Sequence, residues 1–159
     1  YTQQMLDENP DDTFYIVYSD IDDFKMINAQ YGTSVGDDVL KTLADIFKAH
    51  AFNNGLCGRL GSDNFVMFLR SLPDYTQEQV GRFFTEEFKD SPIKGIQFKC
   101  GIYAVTDRDR PVSNMCDRAK LALASIKHRY GVYYAVYDDS LQKKAMREHQ
   151  LADSMEESL

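Results

Sequence analysis

Three carboxylates in this chain have the type and the spacing to hold a divalent cation. Asp20 and Asp22 come at the end of an apolar, aromatic run, and Asp63 stands in a short polar turn between two further apolar runs. Carboxylate oxygens are the hard ligands that magnesium prefers, and pairs of them build two-metal phosphoryl-transfer sites. If the runs that flank Asp63 pair beside the first run, Asp20 and Asp63 meet at one edge of a sheet. A solvated acidic surface is the simpler alternative for the same residues.

The elements that must position these carboxylates follow from periodicity and turn chemistry. Strands are predicted over residues 14–19, 56–60, 65–69, 96–105 and 132–137. Helices are predicted over residues 23–31, 37–53, 113–127 and 140–158, with one more after Thr76, which forms a capping box with Gln79. Strands separated by helices predict one α+β domain, a ferredoxin-like or palm-type mixed sheet flanked by helices.

The composition limits the partners and the compartment. The 159 residues carry a net charge of −7, and residues 1–45 alone, with ten acidic residues and two lysines, carry −8. Electrostatic binding of nucleic acid along its phosphate backbone needs a basic surface, which this sequence lacks. The longest apolar runs are too short to span a bilayer, so no membrane contact by this chain is expected. Its three cysteines lack metal-type spacing, which favours reduced thiols in a cytoplasmic compartment.

Residues 20–37 and 59–65 together resemble the GGDEF family, the diguanylate cyclase domains of bacterial cyclic di-GMP signalling. The signature loop appears as Gly61-Ser62-Asp63-Asn64-Phe65. The family pattern D-x-D-x-F-K-x-x-N-D-x-x-G-H-x-x-G-D is matched at Asp20, Asp22, Phe24, Lys25, Asn28, Gly32, Gly36 and Asp37. The resemblance covers residues 14–138 and implies that family's palm-like fold, in agreement with the predicted order of elements.

The resemblance implies a metal site and a phosphate-binding turn. Asp20, the backbone of Ile21 and Asp63 correspond to the ligands of the family's magnesium ion, for which manganese is the alternative. Gly61 and Ser62 stand where the family's backbone approaches the phosphates, although Ser62 replaces a second glycine there.

The resemblance also implies a guanine site and phosphate-binding lysines. Asn28 and Asp37 correspond to the residues that hold the guanine base, while Lys25 and Lys127 correspond to lysines near the triphosphate. Each residue also fits a simpler local role. Asn28 fits a helix C-terminal residue, Asp37 a helix cap, and Lys127 a last-turn lysine that faces the helix dipole.

Several positions depart from the family pattern. Asn64 stands where the family has Glu, and an amide carries no charge and cannot accept a proton. Its presence is expected to reduce catalysis more than binding. The Arg expected after the closing Gly131 is missing, and whether Arg129 replaces it stays open. The family's inhibitory product site, an Arg-x-x-Asp, is absent from residues 52–55.

These matches and departures predict a cyclic di-GMP signalling domain that binds GTP and magnesium and regulates a neighbouring domain. Two alternatives remain at this point. An active diguanylate cyclase would condense two GTP molecules across a homodimer, and a structural or dimerisation module would bind no nucleotide. The sequence therefore leaves open whether the domain is an enzyme.

The tail of the chain predicts a connection to a further domain. Residues 1–138 are expected to form the GGDEF domain, and residues 139–159 resemble the helical linker that leads to an EAL phosphodiesterase domain. A plain solvated terminal helix is the alternative. The chain begins with Tyr1, so we expect an excerpt of a longer protein with sensory and EAL neighbours. A membrane anchor in that parent stays open.

Overall fold

A computed structural model describes residues 2–157 of the chain. Its strands are β1 (Tyr15–Ile21), β2 (Gly55–Gly61), β3 (Asn64–Leu69), β4 (Phe98–Ala104) and β5 (Tyr134–Val136). Its helices are α1 (Thr2–Glu8), α2 (Phe24–Tyr31), α3 (Thr33–Ala51), α4 (Gln77–Glu87), α5 (Val112–Ala124) and α6 (Asp139–Glu157). None of the helices within this part of the chain has an apolar stretch long enough to cross a bilayer.

The strands form one mixed sheet in the order β2-β3-β1-β4-β5. The central strand β1 pairs antiparallel with both β3 and β4, whereas β5 joins β4 in parallel. The predicted α+β fold, a mixed sheet flanked by helices, is confirmed. On the central strand, Asp20 stands opposite Lys99 of β4, one residue beyond Ser19, which is the last residue of β1 paired with β3.

Helices cover both faces of the sheet because β1 is apolar on both sides. Val17 and Ile21 pack into a cluster with α2, α3 and α4, and Ile16 and Tyr18 pack into a second cluster with α1 and α5. Side chains alternate between the faces of a strand, so Asp20 belongs to the same face as Ile16 and Tyr18. The carboxylate therefore lies toward the end of α5 and the segment that follows it.

The hairpin between β2 and β3 turns through Ser62 and Asp63, as predicted. Gly61 pairs with Asn64 across the turn, after a register shift between Arg59 and Gly61. Gly61 has φ 129° and Ser62 has φ 45°, and the positive φ of Gly61 is one that side-chain-bearing residues rarely adopt. The turn places Asp63 beside the end of β1.

One helix was missed by the sequence prediction, and the start of α3 and the end of α5 differ from it. The helix α1 was not predicted, because it buries only Leu6 and therefore shows no apolar stripe. The helix α3 begins at Thr33 rather than Asp37. Val35, four residues before Val39, extends its apolar face, whereas Gly36, a poor helix former, favoured the later start. The helix α5 ends at Ala124, so Lys127 lies in the turns that follow it.

Candidate functional site

The two carboxylates predicted to meet at the sheet edge do lie together. Asp63 Oδ2 accepts a hydrogen bond of 2.9 Å from the backbone N–H of Ile21. Because Ile21 directly follows Asp20, this contact fixes the hairpin turn against the end of β1. The predicted metal ligands Asp20, Ile21 and Asp63 are thus adjacent, and the antiparallel pairing of β1 with β3 is what brings them together.

Asp20 is the most deeply buried acidic side chain of this edge. Only 6% of the residue is exposed. Its Oδ2 lies 3.3 Å from Lys127 Nζ, while its Oδ1 is buried without a hydrogen-bond partner among the described residues. Burial raises the pKa of Asp20 above its ordinary value, and the nearby charges of Asp63 and Asp22 act in the same direction against the opposing effect of Lys127.

This arrangement fits a divalent cation bound with a nucleotide better than a closed protein metal site. Within residues 2–157, no group of three or more His, Cys, Asp or Glu side chains could hold a metal ion. Asp20 offers an orphaned carboxylate oxygen, and Asp63 leaves one of its oxygens outside the bond to Ile21. Magnesium keeps several ligands from water or substrate phosphate, so two carboxylates with a backbone carbonyl suit it.

The predicted guanine-binding residues lie at the contact between α2 and α3. Asn28 is half-buried, and its Oδ1 is shielded from solvent without a hydrogen-bond partner in the described chain. It packs against Gly36, where an added Cβ would lie 1.9 Å from Oδ1. Asp37 follows Gly36 directly and is exposed. The α2–α3 contact therefore places Asn28 against Gly36, the residue directly before Asp37.

The local alternative for Asn28 matches the geometry, because Asn28 lies in the last turn of α2 and its carbonyl accepts the N–H of Gly32. The alternatives for Asp37 and Lys127 do not. The residue that caps α3 is Gly32, so Asp37 lies within the helix and is not its cap. Lys127 lies beyond the end of α5 and pairs with Asp20 across the sheet edge instead of occupying the last helical turn. The predicted phosphate-binding Lys25 is exposed in the first turn of α2.

The signature turn exposes two uncharged residues, Gly61 and Ser62. The two residues are exposed at the tip of the hairpin. The carbonyl of Ser62 accepts a hydrogen bond of 2.8 Å from Arg59 Nε. Asn64 is half-buried as the first residue of β3, beside Asp63. At this position the chain offers an amide where a carboxylate would add a second negative charge.

Sequence reasoning missed a set of residues that hold the segment after α5. His128 donates its backbone N–H to Asp22 Oδ2 at 2.9 Å, and Gly131 donates its own to Gln97 Oε1 at 3.4 Å. Lys99 is fully buried in β4, directly opposite Asp20 on β1. The available signal was Lys99 itself, a charged residue inside an otherwise apolar strand.

The sequence around this site matches the model of one protein family. The family model described as "Diguanylate cyclase, GGDEF domain" matches residues 1–131. The chain belongs to the GGDEF family. The matched GGDEF region contains both carboxylates of the sheet edge, the α2–α3 contact and Lys127. It ends before β5 and α6, so the division into a domain over residues 1–138 and a linker over residues 139–159 remains a prediction.

Individual GGDEF relatives agree with this assignment. A diguanylate cyclase of Vibrio cholerae is 27% identical over 127 residues, which cover 77% of this chain and 40% of the relative. The bifunctional diguanylate cyclase/cyclic di-GMP phosphodiesterase MucR of Pseudomonas aeruginosa is 33% identical over 61 residues, covering 38% of this chain and 9% of the relative. This chain therefore spans less than half of either relative.

A solved GGDEF structure confirms the fold. The active GGEEF domain of a diguanylate cyclase from Vibrio cholerae superimposes with a TM-score of 0.67 at 24% identity, covering 86% of this chain and 90% of that one. At this identity the likeness supports the architecture of the sheet and helices.

Proposed function

We propose that this GGDEF domain binds GTP together with magnesium and regulates a neighbouring domain in cyclic di-GMP signalling, without making product itself. The observation that carries the proposal is the buried, unpartnered Oδ1 of Asp20 beside Asp63 and Lys127. A buried carboxylate oxygen without a partner is costly unless a ligand satisfies it. A cation that arrives with a triphosphate supplies that ligand.

Different residues of the chain would contact different parts of the nucleotide. Asp20, Asp63 and the backbone of Ile21 would hold magnesium or manganese, which screens the charge of the phosphates. Lys127 would contact the phosphates from the α5 side of the sheet edge, since its ammonium already lies there. The backbone of Gly61 and Ser62 would approach the phosphates from the exposed turn.

The base would lie at the contact between α2 and α3. Asp37 accepts hydrogen bonds from the N–H groups of guanine, and the amide of Asn28 both donates and accepts. Lys25 is placed in the first turn of α2, so its flexible side chain would reach toward the phosphates. Guanine, unlike adenine, offers the two adjacent donors that a carboxylate pairs with, so GTP is the expected nucleotide.

Asn64 is the reason to propose binding without turnover. A carboxylate at this position would add charge for a second cation or accept a proton from the attacking 3′-hydroxyl. The amide of Asn64 does neither, whereas the binding residues on β1, α2 and α3 are retained. We therefore expect ligand affinity and catalytic rate to be separated in this domain.

Calorimetric titration with GTP and magnesium tests the binding proposal directly. We expect saturable binding that disappears when EDTA replaces magnesium, and the absence of binding at millimolar GTP would overturn the proposal. Incubation with GTP followed by chromatography tests turnover. We expect no cyclic di-GMP from the natural chain, and production by Asn64→Glu but not by the matched control Asn64→Gln.

An active cyclase is the second candidate, and the retained pair Asp20 and Asp63 favours it. In that case two domains would face each other in a homodimer, each holding one GTP. A clear cyclic di-GMP peak from the natural chain would establish this candidate in place of the first. The third candidate, a structural module, predicts that Asp37→Ala changes neither nucleotide binding nor signalling.

We extend the proposal to the parent protein. The likeness to MucR, which is named as both cyclase and phosphodiesterase, supports an EAL domain as the regulated neighbour and α6 as the connection. The three free cysteines support a cytoplasmic location. The parent sequence after Leu159 is the direct test, since an EAL motif there is expected and its absence would contradict this extension.

A further inference from the structure

Lys99 is a fully buried charged residue that the proposed nucleotide contacts do not use. None of its surface is exposed, although it lies in β4 between the apolar residues Phe98 and Cys100. In the antiparallel pair of β1 and β4 it stands directly opposite Asp20. Residues opposite each other in such a pair project from the same face, so Lys99 and Asp20 share the face that α5 covers.

The ammonium of Lys99 is bound by backbone carbonyls. Its Nζ donates hydrogen bonds to the carbonyl oxygens of Arg129 and Val132 and lies 5.7 Å from the centre of the Tyr133 ring. No ion pair within residues 2–157 involves Lys99. Burial lowers the pKa of Lys99, while the nearby charges of Asp22 and Asp20 favour its protonated form. A charged donor to a carbonyl makes a stronger hydrogen bond than a neutral one.

The two carbonyls belong to the segment that connects α5 to β5, residues 125–133, which we call the α5–β5 loop. Further bonds anchor this loop: His128 N–H donates to Asp22 and Gly131 N–H to Gln97. At its end, Tyr133 N–H donates to Gln77, and its carbonyl accepts from Cys100 N–H. His128 and Gly131 have φ values of 62° and 77°, so the backbone turns sharply at both positions. A loop with these turns needs fixed contacts to keep a single conformation.

Lys127 begins this loop, and its position depends on the path of the backbone. Its Nζ lies 3.3 Å from Asp20 Oδ2, although about half of the side chain is exposed at 49%. An exposed lysine has many rotamers and little intrinsic preference for one contact. The fixed backbone on both sides of Lys127 is therefore what keeps its ammonium near the carboxylate.

We infer that Lys99 is a positioning residue for the phosphate side of the site, because its buried ammonium holds the α5–β5 loop in the conformation that keeps Lys127 over Asp20. This role rests on the proposed binding of GTP. It assigns Lys99 no contact with the nucleotide. Its effect on binding passes through Lys127, and this separates it from a residue that only fills the core.

A double-mutant cycle with calorimetric titration tests the inference. The variants are Lys99→Met, Lys127→Met and the double variant, titrated with GTP and magnesium and, separately, with guanosine. Methionine keeps the length of the lysine stem and removes the ammonium. We expect Lys99→Met to weaken GTP binding about tenfold, the loss typical of a hydrogen bond to a charged group. Guanosine lacks phosphates, so its affinity should stay within about twofold.

The double variant carries the decisive result. If Lys99 acts through Lys127, the double variant binds GTP within about twofold of Lys127→Met. Multiplied losses in the double variant, an equal loss for guanosine, or unchanged GTP binding by Lys99→Met would each overturn the inference. If Lys99→Met does not fold, Gln97→Ala loosens the same loop at Gly131 and should reproduce the pattern with a smaller loss.

Amide hydrogen exchange tests the loop without nucleotide. We expect Lys99→Met to lose protection at the N–H groups of His128 and Gly131, while amides inside α5 keep theirs. Unchanged protection at both loop amides would contradict the inference even if GTP binds. Failure of the natural chain to bind GTP would overturn the proposed function, and the exchange result would still decide whether Lys99 holds the loop.

Discussion

Gly36 offers a way to test the proposed guanine recognition while keeping the fold. It lies in α3 against α2, and an added Cβ would lie 1.9 Å from Asn28 Oδ1 and 3.1 Å from its Cγ. The next contact, Phe24 Cζ at 3.4 Å, is an ordinary one. The clash is thus confined to the far end of one side chain. In Gly36→Ala we expect the Asn28 amide to rotate away from the base site.

The expected change in stability is small because two effects oppose each other. Replacing Gly by Ala within a helix favours folding by up to ~1 kcal/mol. Displacing Asn28 from its rotamer costs about 0.5–1.5 kcal/mol. The net change in the free energy of unfolding should therefore stay within ~1 kcal/mol of zero, which corresponds to about 2–4 °C in Tm for a domain of this size.

The expected change in binding is larger. A hydrogen bond contributes about 0.5–1.5 kcal/mol net, and the displaced amide loses its bonds to the base. Since 1.4 kcal/mol corresponds to about tenfold in affinity, Gly36→Ala should weaken GTP binding by about that factor. Asn28→Ala, which removes the same amide directly, is the matched control and should show a loss of similar size.

Calorimetric titration and thermal unfolding of four chains complete the test: the natural chain, both single variants and the double variant. Without the Asn28 amide the added methyl group meets no clash. Gly36→Ala should then raise Tm in the Asn28→Ala background and cause no further loss of affinity. A folded Gly36→Ala variant that binds GTP like the natural chain would refute the assignment of Asn28 to the base site.

Two further substitutions test other parts of the structure. The substitution Asp20→Asn removes the buried charge. Because the pKa of Asp20 is raised in the folded state, ionisation of this carboxyl lowers the stability of the fold near neutral pH. This loss of stability disappears as the pH falls toward the ordinary pKa of 3.8. Thermal unfolding should therefore show a higher Tm for Asp20→Asn near neutral pH, and the gain in Tm should shrink on acidification, while magnesium-dependent GTP binding is lost. A gain in Tm that does not change with pH would contradict the raised pKa of Asp20. In Thr76→Ala the capping box of α4 loses its side-chain half, since Thr76 Oγ1 accepts from Gln79 N–H, while the bond from the backbone N–H of residue 76 to the Gln79 side chain can remain. This should lower Tm by about 2–4 °C, the equivalent of ~1 kcal/mol, and leave GTP affinity unchanged.

Much of the fold could be predicted because its local signals agree with its tertiary contacts. The turn at Ser62 and Asp63 separates two apolar runs, and the structure pairs them as a hairpin next to β1. The meeting of Asp20 with Asp63 follows from that pairing. What failed was the start of α3, because Gly36 is a poor helix former and its close packing against Asn28 and Phe24 of α2 is a tertiary contact that periodicity does not reveal.

The α5–β5 loop could not be predicted because its contacts join residues far apart in the chain. Lys99 and Arg129 are 30 residues apart, and Asp22 and His128 are 106 apart. Neither pair follows a helical or strand period. A lysine within an apolar strand normally marks a solvated position, and this one is buried because the carbonyls of Arg129 and Val132 accept hydrogen bonds from its ammonium.

The uneven charge of the sequence has a three-dimensional counterpart. The acidic residues at the sheet edge come mainly from the first third of the chain, and the cations beside them, Lys99 and Lys127, come from β4 and from the α5–β5 loop. The ammonium of Lys99 donates hydrogen bonds to backbone carbonyls, and Lys127 is the cation that pairs with Asp20. In the proposed complex, phosphates would draw Lys127 away and leave Asp20 and Asp63 as adjacent negative charges beside an anionic ligand. A cation that binds with the nucleotide removes that repulsion, so an acidic site of this composition favours the magnesium complex of GTP over free GTP.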